Sequence, residues 1–527
     1  MHKVLINGQW REANSSGSFT AFNPATTEAL GEQFPVSTWA DIDEALDAAG
    51  AAFAELRAAC PTKIADFLEG FATNLESNSE VIRTAANIET ALPLDTRLVG
   101  ELGRTCGQLR AAAAAVRDSS WRNATIDTGT NIRSYLAAIG PVAVFGPNNF
   151  PLAFGSVSGG DFVAAIAAGN PVIAKAHPLH PNTTRLLAEQ AFDAATKAGL
   201  PAATVQLVYE MDYADGEKLA KDSRLAAIGF TGGRVGGLKL KEAADSVGKP
   251  IYLEMSSVNP VVILPGALAE RSEAIADEFL TSCLMGVGQF CTNPGLVILI
   301  ESVESRAFMG QVKSRFENSD VGTLFSEAGQ KSLAASISKL TSAGAEIVCG
   351  ANEGGGNGFS YANTLLQTTG EKFLSNVEAF QTEAFGNASL VVHAQDLGEI
   401  VSILQQLEGN LTGCVYSDTT GADDASYDSV AVELRQRVGR LINDKMPTGV
   451  AVCSAMNHGG PFPATASPGF TAVGMPGAIQ RFAMLQCFDN VRPGRLPELL
   501  KDENRSKAWR CIDGKWTQEN VAVATPA

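Results

Sequence analysis

Five segments of this chain carry side chains able to do chemistry. The first is Gly288-Gln289-Phe290-Cys291-Thr292-Asn293-Pro294, a polar turn between a helical stretch over Ala274–Met285 and the apolar run Leu296–Ile300. A thiol on such a loop, at a strand edge, is open to attack a substrate carbon. Most cysteines are instead small buried hydrophobes, the reading that suits Cys283 in the preceding helix. The second segment ends at Glu254, after Ile251-Tyr252-Leu253. A carboxylate there suits a general base whose ionised form is disfavoured by apolar neighbours, or else it is a helix cap or an ion-pair partner. In Gly146-Pro147-Asn148-Asn149-Phe150-Pro151, the Asn149 amide is placed to donate to an oxyanion, or the segment is an ordinary Asx/Pro turn. Gly229-Phe230-Thr231-Gly232-Gly233-Arg234-Val235-Gly236-Gly237 follows a strand pattern and opens a helical one. Glycines there let a pyrophosphate approach free N–H groups at the positive end of a helix dipole; the alternative is a flexible turn. Lys175, closing Val172-Ile173-Ala174, either snorkels outward or meets a ligand beyond the carboxyl edge of a sheet.

These segments need elements to hold them. Ile42, Ala45, Leu46, Ala49, Phe53 and Leu56 recur at helical spacing behind a capping-box-like Thr38-x-x-Asp41, and further helices run through Phe67, Leu75, Ile82 and Thr96–Arg117. From Ile139 the pattern changes. Apolar runs at Ile139–Phe145, Pro171–Ala174, Val205–Val208 and Leu225–Phe230 alternate with helical patterns near Phe162–Ala168, Thr183–Ala198, Asp215–Asp222 and Val235–Val247. Strand and helix in alternation predict a parallel sheet covered on both faces, hence an α/β fold. A second α/β region follows Glu254 to about Asp444, and a Gly/Pro-rich tail closes the chain. The length of 527 residues predicts two or three domains.

Composition excludes several partners. Lys and Arg number 40 against 57 Asp and Glu, a net charge of −17, which argues against nucleic acid and anionic membranes. No run approaches the ~18 apolar residues of a membrane span, and the start lacks a signal-peptide pattern. Nine scattered cysteines without C-x-x-C predict free thiols and a cytoplasmic enzyme; five histidines without zinc spacing predict no metal site. The chain has no P-loop signature and no G-x-S-x-G nucleophile elbow.

Taken in order, Asn149, Lys175, Thr231-Gly232, Glu254, Cys291 and Glu383-Ala384-Phe385-Gly386 resemble the aldehyde dehydrogenase superfamily from end to end. Ile6-Asn7-Gly8-Gln9-Trp10 and Asn23-Pro24-Ala25-Thr26-Thr27-Glu28 fit as well. The resemblance implies a Rossmann-type cofactor domain (1–122 and 138–253), an α/β catalytic domain (254–446), and an oligomerisation and C-terminal segment (123–137 and 447–527) that pairs subunits into a homodimer or homotetramer. It implies that Cys291 attacks an aldehyde carbon, and that Asn149 and the Cys291 N–H hold the oxyanion. Hydride then passes to nicotinamide, and Glu254 activates the water that hydrolyses the thioester. Lys175 and Glu383 would bond the riboses, with Gly232, Gly233 and Phe385 also at the dinucleotide.

Departures from the family pattern bear on the cofactor. Pro178 stands where NAD-preferring relatives often carry Glu, Gly233 replaces an expected Ser, and Asn148 an expected Trp. Arg234 is placed to pair with a 2′-phosphate or stack on adenine, so NADP is expected, with NAD possible as a second cofactor. The motifs GPNNFPLAF (146–154), SGGD (158–161), KAHPLHP (175–181), GQFCTNPG (288–295) and HGGPFPA (458–464) resemble the 2-oxoglutarate semialdehyde (2,5-dioxopentanoate) dehydrogenases. Met255-Ser256-Ser257, Asn293 and Phe385-Gly386-Asn387 depart from that group. An NADP-linked medium- or long-chain aldehyde dehydrogenase is the nearest alternative; a cysteine amidase or thioesterase is the alternative of another class. An anionic substrate calls for a cation at the entrance, with Arg104, Arg110 and Arg133 as candidates.

Overall fold

A computed structural model describes residues 1–469 and 471–522. Five parallel strands, Ile251–Glu254, Ala227–Thr231, Val142–Phe145, Val172–Lys175 and Val205–Val208, lie side by side in that order. Val4–Ile6 and Gln9–Arg11 extend the sheet antiparallel to a total of seven strands. Val, Ile, Leu and Ala fill these strands and are buried nearly throughout, as a sheet covered on both faces requires. The covering helices are Gly160–Ala168, Pro181–Lys197, Tyr213–Lys221 and Arg234–Asp245. Register matters most for function. Thr231 pairs with Glu254, and Phe145 with both Phe230 and Lys175, so the chemistry-bearing segments all leave the same carboxyl edge.

The periodicity finds these elements, with boundaries moved by local chemistry. The run from Ile139 becomes a strand only at Val142, because Gly140 adopts φ 132° and Pro141 has no N–H to give a ladder. The helix after Thr38 forms over Trp39–Leu56, but not through a capping box. Thr38 Oγ1 donates to the Asn14 carbonyl at 2.6 Å, and Asp41 is spent on Arg11 at 2.9 Å and Asn14 at 3.1 Å. That helix end is fixed by tertiary partners and not by its own first turn.

A second seven-stranded sheet holds Glu346–Cys349, Thr364–Thr369, Ala388–Ala394, Leu296–Ile300, Val261–Ile263, Asn410–Tyr416 and Val438–Asn443; only the first strand pairs antiparallel. The helix entering the Cys291 loop is longer than the sequence suggests, Pro265–Leu284, and is interrupted at Arg271. A five-stranded sheet joins Thr125–Asp127 and Ile132–Ala138 to the distant Ala483–Asp489, Arg510–Ile512 and Lys515–Thr517. Residue 470 and residues 523–527 of the expected C-terminal segment lie outside the described residues. Among the described residues no helix is long and apolar enough to cross a membrane.

Candidate active site

The Cys291 loop is built to lie against its neighbours. After Leu284 the chain turns through Gly286, Val287 and Gly288, at φ 56°, 59° and 67°. A Cβ on Gly288 would come within 2.0 Å of the Gly386 carbonyl oxygen, so only glycine lets this loop close on the one carrying Glu383 and Phe385. From the other side, Asn259 Nδ2 donates to the carbonyls of Cys291 (2.9 Å) and Asn293 (2.8 Å). Asn149 is buried and donates through Nδ2 to the Gln289 carbonyl at 3.1 Å. The amide thus adjoins the thiol loop, with its second N–H uncommitted to that bond.

Glu254 and Cys291 are brought together by a third residue. His458 Nε2 lies 3.0 Å from Glu254 Oε1 and 3.5 Å from Cys291 Sγ. His458 and Glu254 are 2% and 5% exposed, so water competes little for these contacts. One donor atom from each of the three lies within 4.8 Å of the others, a set also suited to a soft divalent cation. The segment carrying His458 is stitched to the Glu254 strand: Met255 N–H donates to Ala464 O at 2.8 Å, and Ala466 N–H to Leu253 O at 3.3 Å. The HGGPFPA motif contained His458, yet nothing local pointed it at residue 291. The one available signal was scarcity, since the chain has five histidines.

Cys291 lines two cavities. The larger, about 580 Å³, is bordered by Asn149, Thr231, Gly232, Gly233, Arg234, Glu254, Glu383 and Phe385. Gly233 precedes the helix Arg234–Asp245, whose first N–H groups have no side-chain cap, and a Cβ on Gly233 would meet nothing within 4 Å. An uncapped helix start opening on a roomy cavity is complementary to a pyrophosphate, so the residues present fit a dinucleotide. Lys175 and Pro178 belong to the strand beyond Val142–Phe145 and its following loop, outside this cavity's lining. Burial lowers Lys175 to about 8, against the opposing pull of Glu210. Arg234 is not free: its guanidinium makes a two-pronged pair with Glu408, at 2.7 and 3.1 Å. The smaller cavity, about 300 Å³, is lined by Arg97, Arg104, Phe150, Phe154, Phe290 and Val450 among others. Of the three arginine candidates only Arg104 reaches it. Arg110 pairs with Glu76 at 2.6 and 2.8 Å on the surface, and Arg133 is held by the Leu500 carbonyl and Asp502.

The profile of the aldehyde dehydrogenase family matches residues 10–460. The chain is 38% identical to alpha-ketoglutaric semialdehyde dehydrogenase 2 of Azospirillum brasilense, covering 97% of this chain and 98% of that one. It is 36% identical to the alpha-ketoglutaric semialdehyde dehydrogenase of Acinetobacter baylyi, covering 98% and 99%. This chain belongs to the aldehyde dehydrogenase family. Among solved structures it resembles lactaldehyde dehydrogenase from Escherichia coli, with TM-score 0.80 at 20% identity over 92% of this chain and 98% of that one. It also resembles a betaine aldehyde dehydrogenase from Staphylococcus aureus in complex with NAD+, with TM-score 0.80 at 18% identity over 93% and 96%. Both show the shared fold.

In this aldehyde dehydrogenase the buried Glu254 carboxyl and Cys291 thiol shift in opposite directions. Burial pushes Glu254 up, but His458, Cys291 and Arg481 together hold the carboxyl below its ordinary range. Burial disfavours the ionised carboxylate, as its apolar neighbours suggest, and the charged and hydrogen-bonding groups around it pull the other way. Its Oε2 is buried without a hydrogen-bond partner. Cys291 moves the other way. Burial, then the Glu254 carboxylate, drive its pKa well above that of a free thiol, with Arg104 opposing. At rest the protonated form of Cys291 is favoured beside the Glu254 carboxyl. Burial also raises Glu383 to about 7.

Proposed function

We propose that this enzyme oxidises 2,5-dioxopentanoate to 2-oxoglutarate, with NADP as its preferred cofactor. The contact set Cys291–His458–Glu254, at the junction of two cavities, carries the catalytic reading. The substrate rests on the two relatives named for alpha-ketoglutaric semialdehyde at 38% and 36% identity.

The thiol proton leaves Sγ for the His458–Glu254 pair as sulfur attacks the aldehyde carbon. Asn149 Nδ2 and the Cys291 N–H donate to the oxygen as it becomes an alkoxide, an interaction strongest when the carbon is tetrahedral. The larger cavity would hold the nicotinamide that supplies a hydride acceptor, and Cys291 would retain the acyl carbon as a thioester. The His458–Glu254 pair releases the thiol's proton to solvent, and Glu254 then takes a proton from water as that water attacks the thioester carbon, with His458 holding the carboxylate's orientation. The C–S bond breaks, acid departs, and the thiol is restored with one proton. Gly232, Gly233 and the helix start would bind the pyrophosphate, with Glu383 and Phe385 on the opposite wall. Lys175 is assigned to the adenosine-side ribose.

Pro178, in place of an acidic side chain, supports acceptance of a 2′-phosphate. Arg234 has to leave Glu408 to pair with it. The domain division given above is retained, supported by the three separate sheets, with the qualification that the C-terminal segment also supplies His458 to the site. Assembly as a homodimer or homotetramer is supported by the sheet-edge strand Ala483–Asp489, where Met484 and Leu485 are 44% and 65% exposed. A kcat/KM panel of 2,5-dioxopentanoate, succinic semialdehyde, glutaraldehyde and hexanal with each nicotinamide cofactor tests the function. The dioxo acid with NADP is expected to lead. Equal rates on hexanal would remove the substrate assignment, and a tenfold preference for NAD unchanged in Arg234→Ala would remove the cofactor assignment.

A further inference from the structure

The smaller cavity holds a cation without a counter-ion. Arg104 projects from the helix Val99–Asp118 toward it, and both terminal nitrogens, Nη1 and Nη2, are buried without a hydrogen-bond partner. The nearby carboxylate is already used. Glu101 pairs with Arg97 and accepts the backbone N–H groups of Leu152 (2.8 Å) and Ala153 (2.9 Å). Arg97 itself lies over Phe150 and Phe290, 4.1 and 4.9 Å from the ring centroids, and donates to the Asn149 carbonyl at 3.1 Å. Arg104 lies 4.7 Å over Phe154, whose ring also neighbours Phe150 at 5.4 Å and His458 at 5.6 Å between centroids. Aromatic walls fix the guanidinium's plane without satisfying its N–H groups. A buried guanidinium left in that state is costly, and it is a ready fork for a planar anion. Cys291 lies in the same lining, so a ligand held at Arg104 by one end offers its other end to sulfur.

We infer that Arg104 is a carboxylate-binding residue that anchors the far end of an ω-aldehyde acid while its aldehyde reaches Cys291. The inference rests on the aldehyde-oxidising reading above and narrows its substrate class to short aldehydes carrying a distal carboxylate. The Phe150, Phe154 and Phe290 walls then face the intervening carbons.

The experiment compares wild type, Arg104→Met and Arg104→Lys in two ways. Kinetics give the ratio of kcat/KM for 2,5-dioxopentanoate to that for hexanal. Isothermal titration with glutarate measures carboxylate binding without turnover or cofactor. Arg104→Met should lower the ratio about 100-fold, chiefly through KM for the acid, and weaken glutarate by a similar factor, as loss of a charge-assisted bidentate contact implies. Arg104→Lys should keep part of both. The melting temperature of Arg104→Met should change little, because the terminal N–H groups it removes have no hydrogen-bond partner and Met still packs on Phe154. An unchanged ratio, or glutarate bound equally by wild type and Arg104→Met, would overturn the inference. Should Arg104→Met fail to fold, the Arg104→Lys comparison still decides it. If wild type reduces nicotinamide with no aldehyde, the aldehyde reading fails, while glutarate binding still judges Arg104.

Discussion

The two cavities that meet at Cys291 are made of different material. The larger is shaped mainly by backbone: strand ends in register, an uncapped helix start, and glycines where a side chain would intrude. The smaller is shaped by side chains, three phenylalanines and two arginines, three of the five delivered by helix Val99–Asp118 and the loop after Val142–Phe145. Under the function proposed above, the backbone cradle would take the dinucleotide and the side-chain box the aldehyde's tail. The thiol sits where the two meet.

The largest perturbation removes that meeting point. Cys291→Ala should cut aldehyde oxidation by at least ~10⁴-fold, read as reduced-nicotinamide absorbance, while dinucleotide binding measured by titration stays within a small factor. Loss of both together would mean that the two cavities are not separable. Next, Glu254→Gln should lower kcat by ~10²–10⁴-fold yet speed alkylation of Cys291 by iodoacetamide at pH 8. The sign follows from the charge. The Glu254 carboxylate disfavours the thiolate, so its removal lowers the thiol pKa and raises the thiolate fraction. In wild type, where that pKa lies well above 9, alkylation should climb about tenfold per pH unit from 7 to 9 without a plateau. A plateau near pH 7 would contradict this account of the resting thiol. Gly288→Ala should act on both sides at once, forcing the Cys291 loop off Gly386 and destabilising the fold by roughly 1–3 kcal/mol in denaturant titration. The smallest effect expected is Glu408→Gln, which frees Arg234 and should improve kcat/KM with NADP by about three- to tenfold, leaving NAD nearly unaffected.

The same contrast explains what the sequence discloses. Strands such as Val205–Val208 and Leu296–Ile300 can be read from their apolar runs, because their burial is a local pattern. Cys291 and Asn149 stand out because each lies in a polar turn after a helix or strand, and Glu254 because it closes an apolar strand. His458 and Glu408 do not stand out. Their contacts, 167 residues to Cys291 and 174 to Arg234, depend on how two sheets and a tail come together. Arg104 could be shortlisted with Arg110 and Arg133, but only the coordinates show that two of the three have partners elsewhere. Thr38-x-x-Asp41 failed for the complementary reason: a local signal was overruled by Arg11 and Asn14.

The path of the tail has a consequence for the timing of synthesis. A ribosome makes Glu254 first, Cys291 soon after, and His458 last, 167 residues beyond the thiol. Both sheets that form the large cavity have their strands in hand by Asn443, before the strap that pairs the acid with the imidazole has been made. Until Ala464 and Ala466 clip onto the Glu254 strand, a nascent chain carries its nucleophile without the histidine that completes the proton path. Synthesis through Ala466 is thereby the step that can bring the imidazole to the thiol.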